Sequence, residues 1–393
     1  MEAKPPSHQP TDTDFWSEVR SHFRTAPGLA YLNCAAWGTP PQQVLDAVAE
    51  GYLRLSARPE VHRNEQGQYV EETLRPLAGQ MMGADPDEIA FLRNAGEALD
   101  LIAAAVNGLQ PGDEILTTSQ EHPTGIGPWR ARAERDGVVI REVPIPSPLT
   151  SHEDLLERMR AAITERTRVL LFCHVTRGGN LYPLAEMCAL AREHGLLSVV
   201  DGAQALARVP VNLDAAGCDL YAVSMHKWLL GPSGSGALFV RRELQDAFGR
   251  PDTPPGGTAA KRYEISGTFD SPTRLGMAAA IELNNNIGLD SIVARNYHLA
   301  DRLREGLKAL PGDRVRVVSA AEYDLRAPGS TLCEVDGTPA GEIRGTLRQQ
   351  YDISVDDHVR DGHDALRIST HFFNTEEEVD RLTAAIGEVA GAA

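Results

Sequence analysis

Residues Ala222–Leu238 read AVSMHKWLLGPSGSGAL: a short apolar run, then Ser224, His226 and Lys227, then two glycine turns. A lysine set between His226 and Trp228 does not have a surface context. Just upstream, Leu196–Gln204 (LLSVVDGAQ) is an apolar run that ends on Asp201. A carboxylate closing a buried strand is costly unless a cation or donor meets it. Asp-Gly-Ala-Gln at one strand end and Ser-x-His-Lys at the next therefore describe a pocket for an aromatic nitrogen cation and a carbonyl.

Outward from these two stretches, strands and helices alternate. Glu88–Phe91 reads as a strand, Arg93–Glu97 as a turn and Ala98–Asn107 as an Ala/Leu helix. Strands follow at Gly112–Thr118, Val138–Val143, Arg168–Val175, Leu196–Val200, Asp219–Ser224 and Ala237–Arg241, with helices at Ser151–Ile163 and Leu184–His194, the latter closed by Gly195. The continuous apolar run RVLLFCHV is of the kind buried on both faces of a parallel sheet. The pattern predicts an α/β fold, a mostly parallel sheet between helices, with ligands at the carboxyl ends of the strands. Gly96, His122, Thr176, Asp201 and Ser224–Lys227 all closely follow a strand.

On either side, residues 1–14 read as a flexible polar arm, Phe15–Phe23 and Gln42–Ser56 as helices, and Asp252–Thr258 as a loop. Thr273–Ile287 reads as a helix, and Leu289–Leu310 as a long amphipathic helix that forms the hinge between domains. A strand at Ala365–Thr370 and a helix at Thr375–Val389 close the chain. This divides it into an arm (1–14), a large domain (15–288) and a smaller α+β domain (289–393). The segment Ser354–Asp364 reads as a polar loop.

The 393 residues carry 38 Lys and Arg against 55 Asp and Glu, a net charge of −17, which argues against nucleic acid as a partner. Five scattered cysteines without CxxC spacing read as reduced thiols of a cytoplasmic protein. There is no long apolar run of the membrane-spanning kind.

Pyridoxal 5′-phosphate (PLP) needs such a set of groups: a lysine for a Schiff base, a carboxylate for the pyridine nitrogen, donors for ring oxygen and phosphate, a flat ring cover and an arginine for the substrate carboxylate. Lys227 and Asp201 supply the first two. Gln204 is placed to reach the ring oxygen, and His122 to stack on the ring. Ser224, His226 and the backbone of Gly96 and Glu97, at a helix start, suit a phosphate. Arg367, isolated in an apolar strand, is a cation that needs a partner and reads by itself as half of a salt bridge. No metal site is expected. Gly231, Gly234 and Gly236 precede a strand, which does not fit the dinucleotide-binding turn.

These segments, together with YLNCAAWGTPP, FLRNAGEAL, EHPTGIGPW, HVTRGGNLYPLAEMCALAREHG, SGTFD and LRISTHFFNTEEEVDRL, resemble the class V aminotransferase family of fold-type I PLP enzymes over nearly the whole chain. The nearest branches are cysteine desulfurases and isopenicillin N epimerase-like proteins. The resemblance implies a seven-stranded sheet and a homodimer with shared sites. It makes Lys227 the Schiff-base lysine, with His122 beside it in catalysis, and Thr268 a ligand to the neighbouring subunit's phosphate, and it gives Arg367 the substrate carboxylate. Cys34 stands near the substrate, where relatives carry another polar residue. The phosphate turn departs from the family pattern, with Ala95-Gly96-Glu97 in place of a hydroxyl-bearing turn.

Persulfide-forming desulfurases carry a cysteine on the loop before the substrate arginine. Here Ser354–Asp364 has none, and Cys333 lies 34 residues before Arg367. The expected activity is removal of an amino acid's Cα proton by Lys227, followed by β-elimination of a thiolate from a cysteine S-conjugate. Epimerisation and transamination are the alternatives. A non-catalytic binding protein on this fold would be expected to lack Lys227, Asp201 or Arg367.

Overall fold

Residues 89–240 alternate strands with helices, all the strands but the edge strand Val139–Val143 being buried on both faces, and this pattern sets the architecture. The structure is a computed structural model that describes residues 6–245, 260–264 and 267–391; the loop expected at 252–258 lies outside the described residues. The chain begins with α1 (Thr13–Ser21), β1 (Ala30–Tyr31), α2 (Gln42–Ala57), α3 (Pro59–Tyr69) and α4 (Arg75–Met82). The alternating part runs β2 (Ile89–Leu92), α5 (Ala95–Ala105), β3 (Glu114–Thr118), α6 (Pro123–Asp136), β4 (Val139–Val143), α7 (His152–Ala162), β5 (Thr167–Cys173), α8 (Leu184–Glu193), β6 (Leu197–Asp201), α9 (Leu213–Ala216), β7 (Leu220–Ser224) and β8 (Gly236–Val240). Two long helices follow, α10 (Ser271–Ile287) and α11 (Leu289–Lys308). The chain ends with β9 (Val315–Val317), β10 (Ser330–Val335), α12 (Ala340–Gln350), β11 (Ile353–Ser354), β12 (Asp356–Arg360), β13 (His363–Ser369) and α13 (Glu376–Val389).

The expected α/β fold is present. A seven-stranded sheet has the order β2-β8-β7-β6-β5-β3-β4, parallel throughout except where β8 pairs with its two neighbours. Its two faces carry separate apolar clusters. One includes Phe172, Tyr221 and Phe239, the other Leu171, Ala222 and Leu238, successive residues on opposite faces as strand geometry requires. A second sheet, β12-β13-β10-β9, is antiparallel and covered by α11, α12 and α13. Between α10 and α11, Gly288 sits at φ +87, a conformation open to glycine, and we propose it as the hinge between the two units.

The structure departs from the sequence reading in several places, and it adds helices α3 and α4, which the sequence reading leaves unassigned. The expected polar loop 354–364 is a β-hairpin closed by Asp361 and Gly362, both at positive φ (58 and 84). An Asp-Gly pair is the signal of that two-residue turn, but the charges around it hide the strand period. The described part of the N-terminal arm is docked. The His8 N–H donates to Ser291 Oγ (3.1 Å), and Arg295 Nη1 to the Pro10 carbonyl (2.7 Å). Helix α6 has no counterpart among the expected elements, since its Gly and Pro residues weaken the helical signal; His122 caps its first turn. No described helix is long and apolar enough to cross a membrane.

Candidate active site

Polar residues placed just after buried strands converge because parallel strands end on the same edge of the sheet. Gly96 follows β2, His122 β3, Arg177 β5, Asp201 ends β6, and Ser224, His226 and Lys227 end or follow β7. They line one cavity of about 190 Å³ together with Asn94, Ala95, Thr124, Cys173, Val175, Ala203 and Gln204. Of the residues singled out in the sequence, the structure thus brings Lys227, Asp201, Gln204, His122, Gly96, Ser224 and His226 together in one place.

Lys227 has no hydrogen-bond or ion-pair partner for its ammonium among the described residues. Burial lowers its pKa; Asp201 opposes that shift and Arg367 adds to it. Its backbone is fixed from behind. Trp228 is 1% exposed, stacks under the Arg208 guanidinium (3.7 Å) and donates from Nε1 to Gln204 Oε1 (2.7 Å). Gly38 donates to the His226 carbonyl (2.8 Å), and a Cβ there would lie 2.3 Å from the Lys227 carbonyl oxygen. That contact explains the glycine in the Gly-Thr-Pro-Pro turn.

Asp201 is buried, and burial raises its pKa; the Ala203 N–H, bonded to Oδ1 at 2.9 Å, and Lys227 counter that rise. Glu121 stands beside it. Burial first, and the Asp201 charge second, push Glu121 up to about 8. Its Oε1 accepts the Cys173 thiol (2.9 Å) and the His122 N–H (2.9 Å), while Oε2 is buried without a partner. His122 is pushed down to about 4, by burial first and then by Lys227, Arg177, Arg360 and Arg367, so its ring is neutral at ordinary pH.

At the opposite side, the Ala95 N–H at the start of α5 donates to Ser224 Oγ (3.1 Å), and the Glu97 N–H to its cap Asn94 Oδ1 (2.9 Å). The Gly96 N–H is left without a partner among the described residues. His226 Nδ1 lies 3.1 Å from the Ser235 carbonyl, to which it donates, so Nε2 is left for the cavity. A free helix N–H, a hydroxyl, an imidazole and the positive end of α5 fit a phosphate; a buried carboxylate fits the pyridine nitrogen; an unpaired lysine fits the aldehyde. The residues present fit PLP. Bound there, it supplies the electron sink for charge released at a substrate's Cα.

Three expected site residues behave differently. Glu97 has its N–H on the cap and its carboxylate on Arg93, so it is not free for a phosphate. Cys34 is fully buried, its Sγ 3.5 Å from the Lys227 carbonyl, and braces the lysine's backbone instead of facing the cavity. Arg367 is 4% exposed and donates to Asp356 Oδ2 (2.5 Å), so the salt-bridge reading holds in this structure. Thr268, expected at the neighbouring subunit's phosphate, is exposed and lies outside this chain's own cavity. Gln204 does line it, but its amide is partly committed: Nε2 donates to the Ala35 carbonyl (2.8 Å), and one N–H remains for a ring oxygen. Arg177, Thr124, Glu121 and Cys173 are site residues that sequence reasoning does not single out. Glu121, next to His122 at a strand end, carries the clearest missed signal.

The sequence model of the family described as aminotransferase class-V matches residues 30–382. Isopenicillin N epimerase of Amycolatopsis lactamdurans is 33% identical over 95% of this chain and 98% of its own. A cysteine desulfurase of Salmonella agona (strain SL483) is 31% identical over 92% and 93%. Among solved structures, apo cysteine desulfurase of Thermococcus onnurineus NA1 superposes with a TM-score of 0.84 at 24% identity, covering both chains completely (100% each). A C-DES variant with glycine linked to its PLP cofactor gives 0.85 at 24%, over 94% of this chain and 99% of that one. With Lys227, Asp201 and the open end of α5 arranged around one cavity, the chain belongs to the class-V aminotransferase family and is a PLP-dependent enzyme.

Proposed function

We propose that the enzyme acts on an α-amino acid, with Lys227 removing the Cα proton, and that it cleaves a cysteine S-conjugate by β-elimination. The observation that carries this reading is a base without an accompanying nucleophile. Lys227 is held unpaired and easily deprotonated, whereas all five cysteines are buried. Cys173 alone among them lines the cavity, and burial first, then Glu121, raises its thiol pKa well above the ordinary range. A reaction that releases its own thiol needs no protein thiolate.

Asp201 would face the pyridine nitrogen and favour its protonated form, and the Gly96 N–H, Ser224 and His226 would hold the phosphate. His122 would lie against the ring, and Gln204 would donate to the ring oxygen. Arg367 draws in the substrate carboxylate. Epimerisation is the second reading. The neutral His122 ring would serve as a second proton carrier at Cα, and relatives named isopenicillin N epimerase match nearly the full chain. We also infer a cytoplasmic homodimer in which Thr268 serves the neighbouring site. The exposed apolar Leu45, Tyr52 and Leu53 of α2 support association.

The test is product analysis in deuterated water with S-methyl-L-cysteine. Pyruvate, ammonia and methanethiol support elimination. Recovered amino acid with deuterium at Cα and inverted configuration would replace it with epimerisation.

A further inference from the structure

Two guanidinium groups meet on one carboxylate oxygen. Arg177, on the loop after β5, donates from Nη2 to Asp356 Oδ2 (2.9 Å) and to the Asp357 carbonyl (2.9 Å). Arg367, from β13, donates to the same Oδ2 (2.5 Å). Arg344 reaches Asp356 Oδ1 at 3.5 Å and pairs with Asp357. Three arginines against two aspartates leave one positive charge in excess.

The two inner arginines differ in what they offer. The Arg367 side chain is 4% exposed, and its Nε is buried without a partner. The Arg177 side chain is 26% exposed and lines the cavity with Lys227 and His122. An excess cation in a half-buried place is costly until an anion reaches it. A planar carboxylate is the natural match for guanidinium forks.

We propose that Arg177 is a substrate-binding residue: with Arg367 across Asp356 it clamps the carboxylate of an α-amino acid, and Asp356 limits the clamp to one carboxylate. This rests on the reading of Lys227 as the lysine that carries the cofactor. Asp356 neutralises one of the two inner cations, so a monoanionic group completes the charge balance. Removing its charge leaves room for a second anion.

The experiment uses holoenzyme and three probes: S-methyl-L-cysteine, its decarboxylated counterpart S-methylcysteamine, and S-carboxymethyl-L-cysteine, with binding followed by the cofactor's visible absorption. Arg177→Ala and Arg177→Gln are expected to weaken S-methyl-L-cysteine by about tenfold to a hundredfold. They should leave S-methylcysteamine unchanged, since it has no carboxylate to lose. Asp356→Asn is expected to shift preference toward S-carboxymethyl-L-cysteine by about tenfold.

Equal weakening of the amine and the amino acid would make Arg177 a fold-holding residue and overturn the proposal. Unchanged binding of both would leave Arg367 acting alone and would overturn it equally. An unshifted preference in Asp356→Asn would remove the limiting role of that carboxylate. Failure of borohydride to fix the cofactor on Lys227 in the wild type would instead overturn the reading beneath the proposal, and it is measured separately from any binding constant.

Discussion

At the cofactor end of the cavity, Asp201, Ser224, His226 and Lys227 come from 27 consecutive residues on two neighbouring strands. At the substrate end, Arg177 meets Asp356 across 179 positions of sequence. The first set is fixed by a buried sheet. The second is held by ion pairs between the large sheet's loops and the C-terminal hairpin, so it can exchange one anion for another. Chemistry that must be positioned rigidly sits on the sheet. Recognition that must adapt sits where the two units meet.

The largest expected effect tests the rigid end. Lys227→Ala should lower turnover by about a thousandfold or more, the scale of losing a general base. It should also abolish borohydride fixation of the cofactor, read by peptide mass mapping. A cofactor adduct still found elsewhere at wild-type level would break the assignment of the rigid end to this lysine.

The same contrast governs what the sequence disclosed. Asp201 and Lys227 were legible because each interrupts an apolar run at a strand's end, a place where a buried charge needs a reason. Arg177 lies in TRGGNLY, an ordinary-looking glycine loop, and Asp356 in a run of charges that reads as solvated. Neither carries a local signal, because the meaning of each is a contact far along the chain. Arg367 was legible as a residue that needs a partner, but the choice between Asp356 and a substrate was not. Cys34 misled for the opposite reason. Its place in the family motif is near the substrate, and only packing shows that it lies behind the lysine's backbone. The seven strands were legible because their runs are short and apolar; α6 was not, since Gly125, Gly127 and Pro128 dilute its period.

A middle-sized effect probes the seam between the two ends. Gly38→Ala would press a Cβ to within 2.3 Å of the Lys227 carbonyl and 2.6 Å of the His226 carbonyl, both backbone atoms that cannot swing away. Overpacking of this kind costs about 1–3 kcal/mol. Urea denaturation should show that loss, with cofactor affinity falling alongside it as the lysine's backbone shifts. Unchanged stability would mean that the Gly-Thr-Pro-Pro turn yields, and that the rigid end is less rigid than its packing implies.

The smallest effect separates the two ends by pH. Glu121, Cys173 and Asp201 bring their polar atoms within 4.8 Å of one another at the cavity wall. Burial and the Asp201 charge raise Glu121 from an ordinary 4.5 to about 8. The native carboxyl therefore keeps its proton across that window while the unfolded one has lost it. Unfolding then releases a proton, and stability falls as pH rises from about 4.5 to 8; below the window the group contributes no penalty. The raised Asp201 acts with the same sign. Arg360 and the His122 N–H limit the penalty by facing the charge that forms. Glu121→Gln keeps the shape and removes the titration. Cofactor-free wild type should lose more stability than this variant between pH 5 and pH 9 in urea denaturation, the excess loss levelling off as the native carboxyl gives up its proton. Parallel loss in the two proteins would show that the carboxyl pair ionises freely.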